Sequence, residues 1–493
     1  MITTEQGQSR LHGRVIAGAI LLATALPGAS FAREHGEDVV RAALPPGAIE
    51  HILVIDLENE DYATTFGASS PAVYLNSVLL KQGELIPNYF ATSHVSMGNY
   101  VAQVSGQGPT VAMNNDCLDL STLRKPPVLG GFTEIVPGTD ATDQSLYPGQ
   151  VIGDGCVLPA PSASSKGART IGDQLDTLLD DDQPGEEERK FLNWRVYAED
   201  MGDDLARDGG TPDPLGGATC AHPPLGGADF SNSAAANDQY ATRHNPFMYF
   251  HSIIDDAARC NAHVVPLGKL VIGTNGTADR FQGHLFDDLR HLETTPKFMF
   301  VIPNLCNDGH DATCVAPNVE GTKDANGNNA GGLVAADLWL KHWMPMIFAS
   351  PAYKSGKLLV VLTFDESGLK DARACENPNQ ADCKSPTGPN VSNPGFSSVL
   401  ALFGAQKPPT STYVYPGGGQ VGMVLFNRRY IAPGSVNATG SYNHYSALRS
   451  YEDLLGVMKG GDDGHGHLGF AALPTMKPFG TDVFNRPGKA DDR

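Results

Sequence analysis

The chain has 493 residues, 41% hydrophobic and 18% charged, which excludes a disordered polymer and is long enough for a large buried core. Lys and Arg total 35 against 55 Asp and Glu, a net charge of −20 at pH 7. That balance argues against binding to nucleic acid or to an anionic membrane surface, since both need a basic face, but leaves room for a local cationic pocket.

The first predicted element is a leader. Arg10, His12 and Arg14 precede an apolar run over residues 15–26, then a Pro-Gly break and Ser30-Phe31-Ala32. A basic stretch, a short apolar stretch and a small-x-small end form the pattern of a secretory signal, with cleavage expected after Ala32. The competing reading is an uncleaved anchor, for which the run is short. Residues 1–32 are therefore expected to be a signal peptide, and residues 33–493 a single catalytic domain (core about 50–480) in the periplasm or outside the cell. No later stretch is apolar enough to span a membrane. Export gives the eight cysteines a meaning: an even number in an exported chain favours disulfides. The close spacings of Cys306 with Cys314 and of Cys375 with Cys383 predict local staples.

Nearly continuous apolar runs at residues 52–57 (ILVIDL), Phe298–Ile302, Leu358–Phe364 and residues 399–403 (VLALF) predict strands buried on both faces. Residues 170–179, 332–349 and 445–456 carry apolar positions three and four apart and are expected to be helices. The alternation predicts an α/β fold, a three-layer α/β/α sandwich around a mostly parallel sheet. Leu333, Leu338, Trp339, Trp343 and Ile347 form the stripe that packs one helix on that sheet. Two Gly-, Pro-, Asp- and Ala-rich stretches, near residues 120–150 and 202–237, read as long loops.

In an open parallel sheet, ligands gather beyond the carboxyl ends of the strands. The informative polar groups stand there: Glu58-Asn59, then Asn307, Asp308, His310 and Asp311, then Asp365-Glu366, and finally Tyr442-Asn443-His444 ahead of a helix. Each alone reads as a cap or a turn. Four at one sheet edge point to a site. The segment TSHVSMGNYVAQVSG, residues 92–106, adds Ser96, three residues before Asn99, where a helix N-terminus favours anions. The competing reading makes Ser96 a plain N-cap.

Glu58, Asn59, Asp365, Glu366 and a deprotonated Ser96 would offer oxygen only, a set that suits Ca²⁺, Mg²⁺ or Mn²⁺ better than zinc. The cation would lower the pKa of Ser96, which would attack phosphorus in line. Asn99 would donate its amide to a nonbridging oxygen, and His444 would neutralise charge or protonate the leaving oxygen.

The opening ILVIDLENEDYATTFG resembles that of the phosphoesterase family holding bacterial acid phosphatases and phosphatidylcholine-type phospholipases C, within the alkaline phosphatase superfamily. TSHVSMGNYVAQVSG is similar to that family's nucleophile segment, and VIPNLCNDGHD, TFDESG and YNHYSALRSYEDLLGV resemble further motifs in the family's order. The similarity covers residues 52–456. It implies an alkaline-phosphatase-like fold, metal ligation by Glu58, Asn59, Asp365 and Glu366, a phosphoserine at Ser96, and His444 facing the phosphate. Two-zinc members have Asp-His where this chain has Asp365-Glu366, so a second, histidine-rich metal site is not expected. Asp308, His310 and Asp311 stay open between a second ion, a polar surround and loop structure. His94, and His244 in RHNPFMYF, stay open between phosphate contact and structural hydrogen bonding. His465 and His467 have metal-like spacing in a C-terminal loop. No C/S-x-P-x-R segment supports a sulfatase.

The expected function is that of an exported, metal-dependent, acid-phosphatase-type phosphomonoesterase, with phosphoinositides among the candidate substrates. The partner is then a small-molecule or lipid head-group phosphoester. The rivals are a phospholipase C and a noncatalytic, disulfide-stapled binding protein.

Overall fold

A run such as ILVIDL has no polar alternate positions, so it needs cover on both faces. The computed structural model describes residues 39–93, 95–110, 112–117, 131–137, 149–162, 167–182, 193–272, 278–310, 314–315, 330–368 and 418–486. In it this run is β1 (His51–Leu57), buried along its whole length. The sheet also contains β2 (Glu84–Ile86), β3 (Trp194–Ala198), β4 (Val264–Pro266), β5 (Phe298–Ile302), β6 (Leu358–Phe364), β7 (Met423–Phe426) and β8 (Ser435–Val436). Their order is β8-β2-β7-β6-β1-β5-β3-β4. The five strands from β6 to β4 are parallel. β7 runs antiparallel to both β6 and β2.

The longer helices among the described residues are α1 (Ser96–Ser105), α2 (Ile171–Asp182), α3 (Gly332–Ala349) and α4 (His444–Leu454). Register shows how they are layered. Phe298 and Phe300 project from one face of β5 and meet Tyr451 of α4 and Tyr100 of α1. Met299, Leu53, Val360 and Phe426 are successive cross-strand partners and so share the other face. There Phe426 meets Phe348 of α3 at 5.3 Å. α1 and α4 therefore lie on one side of the sheet and α3 on the other, the three layers expected.

The strands at Phe298–Ile302 and Leu358–Phe364 and the helix at Gly332–Ala349 have their predicted bounds. The last helix starts one residue before its predicted start, at His444, because the Asn443 side chain accepts from Ser446 N at 2.9 Å and caps it. Leu333, Trp339, Trp343 and Ile347 are buried as expected, whereas Leu338 is half-exposed.

Cys117–Cys156, Cys220–Cys260 and Cys306–Cys314 are disulfides, the last being one of the two staples expected from spacing. Cys375, Cys383, the strand expected at residues 399–403 and the leader expected at residues 1–32 lie outside the described residues. The described residues fall within one compact unit. No helix among the described residues is long and apolar enough to cross a membrane.

Candidate metal and phosphate site

Because β6, β1 and β5 are adjacent and parallel, the residues that follow them leave the sheet on the same edge. Backbone hydrogen bonds then join the three exits: Glu58 N donates to Asp308 O, and Asp365 N to Leu57 O, both at 2.8 Å. Asn59 sits at a φ of 48°, a left-handed turn that Asn tolerates better than most residues. The turn aims its N–H at Asp365 Oδ1, 2.9 Å away. Its side-chain amide donates to Glu58 Oε2 at 2.7 Å and lies 3.4 Å from Ser96 Oγ and 3.1 Å from His310 Nδ1.

Ser96 opens α1, but Val95 holds the cap position and no side chain caps the helix. The Ser96 hydroxyl is directed instead at Glu58 Oε2, 3.2 Å away, and Glu366 Oε1, 3.5 Å away. That removes the plain N-cap reading. Gly98 permits the close approach of this turn, since a Cβ there would lie 2.5 Å from Ser93 Oγ and 2.8 Å from Pro109 Cβ.

Glu58, Asp308, Asp365 and Glu366 are each at most 1% exposed, an uncommon density of buried acid. Burial, followed by the charges of Glu58, Glu366 and Asp56, pushes the Asp365 carboxyl well above its ordinary range. Glu58 Oε1 and Asp365 Oδ2 are buried and make no hydrogen bond. His244 Nε2 approaches Glu58 Oε1 to 3.0 Å, with its ring stacked on Tyr100. Burial pulls that imidazole down to about 3, so it is neutral at physiological pH. Glu58, His244 and Asp308 each bring a ligand atom within 4.8 Å of the others. Crowded carboxylates, orphaned oxygens and a neutral imidazole fit a divalent cation, whose charge would relieve the repulsion.

Glu58, Asn59, Ser96, Asp365 and Glu366 thus come together from three separate segments, with His244, Asp308 and His310 beside them. Two residues do not face the cluster. Asn99 Oδ1 accepts from Thr92 N, Thr92 Oγ1 and Ser93 N, while its amide donates to Ser93 O and Val95 O. The amide expected to bind phosphate instead ties down the turn that carries Ser96. His444 is fully buried behind the cluster, with Nε2 at 2.7 Å from Asp365 O and Nδ1 at 3.0 Å from the Tyr89 hydroxyl. Burial lowers it to about 4. A neutral, enclosed ring with both nitrogens engaged is not placed to neutralise a phosphate or to protonate a leaving group. His310, 49% exposed in its side chain and 3.5 Å from Glu58 Oε2, is the imidazole at the mouth. His94 and Asp311 lie outside the described residues.

Sequence reasoning missed Tyr89, Asp116 and Arg243. Asp116 accepts from Met97 N at 2.9 Å, next to Ser96, and Arg243 Nε lies 3.8 Å from its other oxygen. Burial pushes Asp116 up to about 7 against the pull of Arg243. Arg243 was within sight beside His244 in RHNPFMYF. Asp116 and Tyr89 carry no spacing signal.

No family model matches the chain. It is similar to a phosphate-repressible acid phosphatase of Penicillium chrysogenum, 27% identical over 361 residues that cover 71% of this chain and 58% of that protein. A probable acid phosphatase of Kluyveromyces lactis is 23% identical, over 66% of this chain and 50% of its own. The chain therefore spans about half the length of the curated relatives it matches. Among solved structures, an alkaline phosphatase superfamily protein from Vibrio parahaemolyticus aligns with 91% of this chain and 73% of its own, at 10% identity and a TM-score of 0.41. Murine ectonucleotide pyrophosphatase/phosphodiesterase 5, as a T72A variant in complex with AMP, aligns with 82% of this chain and 95% of its own, at 10% identity and a TM-score of 0.32. The family resemblance read from the motifs thus has named acid phosphatases among its sequence relatives.

Proposed function

We propose that this protein is an exported, metal-dependent phosphomonoesterase in which Ser96 is the nucleophile. The observation that carries the reading is the Ser96 hydroxyl, uncapped at the start of α1 and directed into a buried cluster of carboxylates. Glu58, Asn59, Asp365 and Glu366 are the residues to hold a divalent cation, with Asp308 and His244 adjacent. Oxygen donors predominate, which favours Ca²⁺, Mg²⁺ or Mn²⁺ over zinc. When bound, the cation supplies positive charge that lowers the serine pKa and offsets charge on the phosphoryl group.

Ser96 Oγ forms a bond to phosphorus as the bond to the leaving oxygen breaks, giving a phosphoserine that water then hydrolyses. His310, at the mouth, is the side chain to deliver a proton to the departing oxygen. Arg243 and the start of α1 supply positive potential for the remaining phosphoryl oxygens. Three disulfides support export.

A substrate panel on chelated protein, with Mg²⁺, Mn²⁺, Ca²⁺ or Zn²⁺ added back, tests the reading. Phosphate release from monoesters, including phosphoinositide head groups, supports it. Release of phosphocholine from a phospholipid with no phosphate release makes the protein a phospholipase C. Hydrolysis undiminished by exhaustive chelation removes the metal from the reaction.

A further inference from the structure

We infer that Tyr89 and His444 form a positioning relay that holds the Asp365-Glu366 pair in register with Glu58 and Ser96; this rests on the metal-dependent reading above. A two-stranded parallel ladder, Tyr89–Phe90 with Tyr442–Asn443, lies off the main sheet and pairs Tyr89 with Tyr442. That pairing sets His444, two residues further on at the start of α4, edge-on to the Tyr89 ring at 5.5 Å. Both residues are fully buried, and both ring nitrogens of His444 are engaged within the fold.

Hydrogen-bond chemistry gives the relay a direction. The Asp365 carbonyl can only accept, so His444 Nε2 must carry the proton in its 2.7 Å bond to that oxygen. The other nitrogen, Nδ1, is then an acceptor, and the Tyr89 hydroxyl donates to it at 3.0 Å. Tyr89 thereby selects the tautomer that His444 needs. The acidic pair is anchored on several sides: Asp365 N on Leu57 O, Asp365 Oδ1 by Asn59 N, Asp365 O by His444, and Ser367 N on Gly418 O. Gly418 N in turn donates to Ala91 O, two residues after Tyr89. The segment that carries Tyr89 therefore braces the acidic pair twice, once through His444 and once through Gly418. Rotation of the Asp365 peptide would swing two adjacent carboxylates away from the cluster, so this brace sets how well a cation is held.

The test uses the full chain after chelation, with Mn²⁺ as probe. Its dissociation constant is measured by calorimetry and by the rise in melting temperature, and kcat and KM with p-nitrophenyl phosphate at saturating Mn²⁺. His444→Ala and Tyr89→Phe are expected to weaken Mn²⁺ by about 10- to 100-fold, as loss of a partner behind a metal ligand does. His444→Gln, which keeps a donor near Nε2, is expected to restore most of the affinity. KM at saturating Mn²⁺ stays near the wild-type value. Unchanged Mn²⁺ affinity in folded Tyr89→Phe and His444→Ala overturns the relay. So does a His444→Gln protein that binds Mn²⁺ normally yet loses as much kcat as His444→Ala, because His444 would then take part in the chemistry. Failure of the wild-type protein to bind any of Mn²⁺, Mg²⁺ and Ca²⁺ overturns the metal reading itself, and so is distinct from failure of the relay.

Discussion

Among the described residues, the acids and histidines near the end of α4 and those at the sheet edge differ in how completely their polar atoms are satisfied. Near the end of α4, Asp453 Oδ1 accepts from Arg41 Nη1 at 2.6 Å and lies 3.0 Å from His467 Nε2, while Oδ2 accepts from Ala42 N at 2.8 Å. His467 Nδ1 faces Asp463 Oδ2 at 2.6 Å. Asp453 and His467 thus have all their polar side-chain atoms engaged within the chain. The metal-like spacing of His465 and His467 thus belongs, at His467, to a knot that ties residues 41–42 to the C-terminal loop. At the sheet edge, four carboxylates converge, Glu58 Oε1 and Asp365 Oδ2 make no hydrogen bond, and the adjacent His244 is neutral. A balanced cluster holds the fold. An unbalanced one implies something from outside, at a stability cost that a bound ion removes.

The contrast can be broken by experiment. Ser96→Ala should lower kcat by at least about 10³-fold, with the protein still folded and still gaining thermal stability from Mn²⁺. A folded, active Ser96→Ala protein ends the nucleophile assignment. Asp365→Asn should abolish the metal-dependent rise in melting temperature while leaving the metal-free protein as stable as wild type or more so, since it removes a repelled carboxylate. Asp453→Asn should act the other way, destabilising by about 2 kcal/mol in denaturant unfolding, because Arg41 and His467 lose a charged partner. If both substitutions destabilise the metal-free protein equally, the distinction between the clusters falls.

The smallest effect concerns Glu84, a buried carboxyl far along the sheet on β2. Burial moves it from 4.5 up to about 8, with Ser435 opposing and Asp482 adding to the rise. Its folded-state pKa is raised, so its contribution to stability is full below about 4.5 and is lost as pH climbs through about 8. Glu84→Gln should flatten that fall in unfolding free energy between pH 5 and about 8 without changing Mn²⁺ affinity. An unaltered slope would remove Glu84 from the pH dependence.

Much of this architecture was legible in residue order. Strands buried on both faces announce themselves as unbroken apolar runs, and Glu58-Asn59, Asp308 and Asp365-Glu366 follow such runs directly. Parallel neighbours then have to deliver those residues to one edge. Asn99 and His444 lie in the neighbourhood that the sequence predicts, but their hydrogen bonds run to the fold itself. A polar side chain beside a helix start reads the same in sequence whether it reaches outward to a ligand or back to its own turn. Tyr89 was invisible because its partner is 355 positions away in sequence.

The chain by itself determined its layers, its strand-end acids and the serine among them, because burial period and local turn chemistry are written in near neighbours. Only the tertiary structure decided which polar atoms meet. It turned the Ser96 hydroxyl from a helix cap toward Glu58 and Glu366, gave Asn99 to its own loop, and put His444 behind Asp365. The Ser96 and His444 choices depend on hydrogen-bond geometry between segments 38 to 355 residues apart, and a buried donor or acceptor must take whichever partner the packed fold brings within reach.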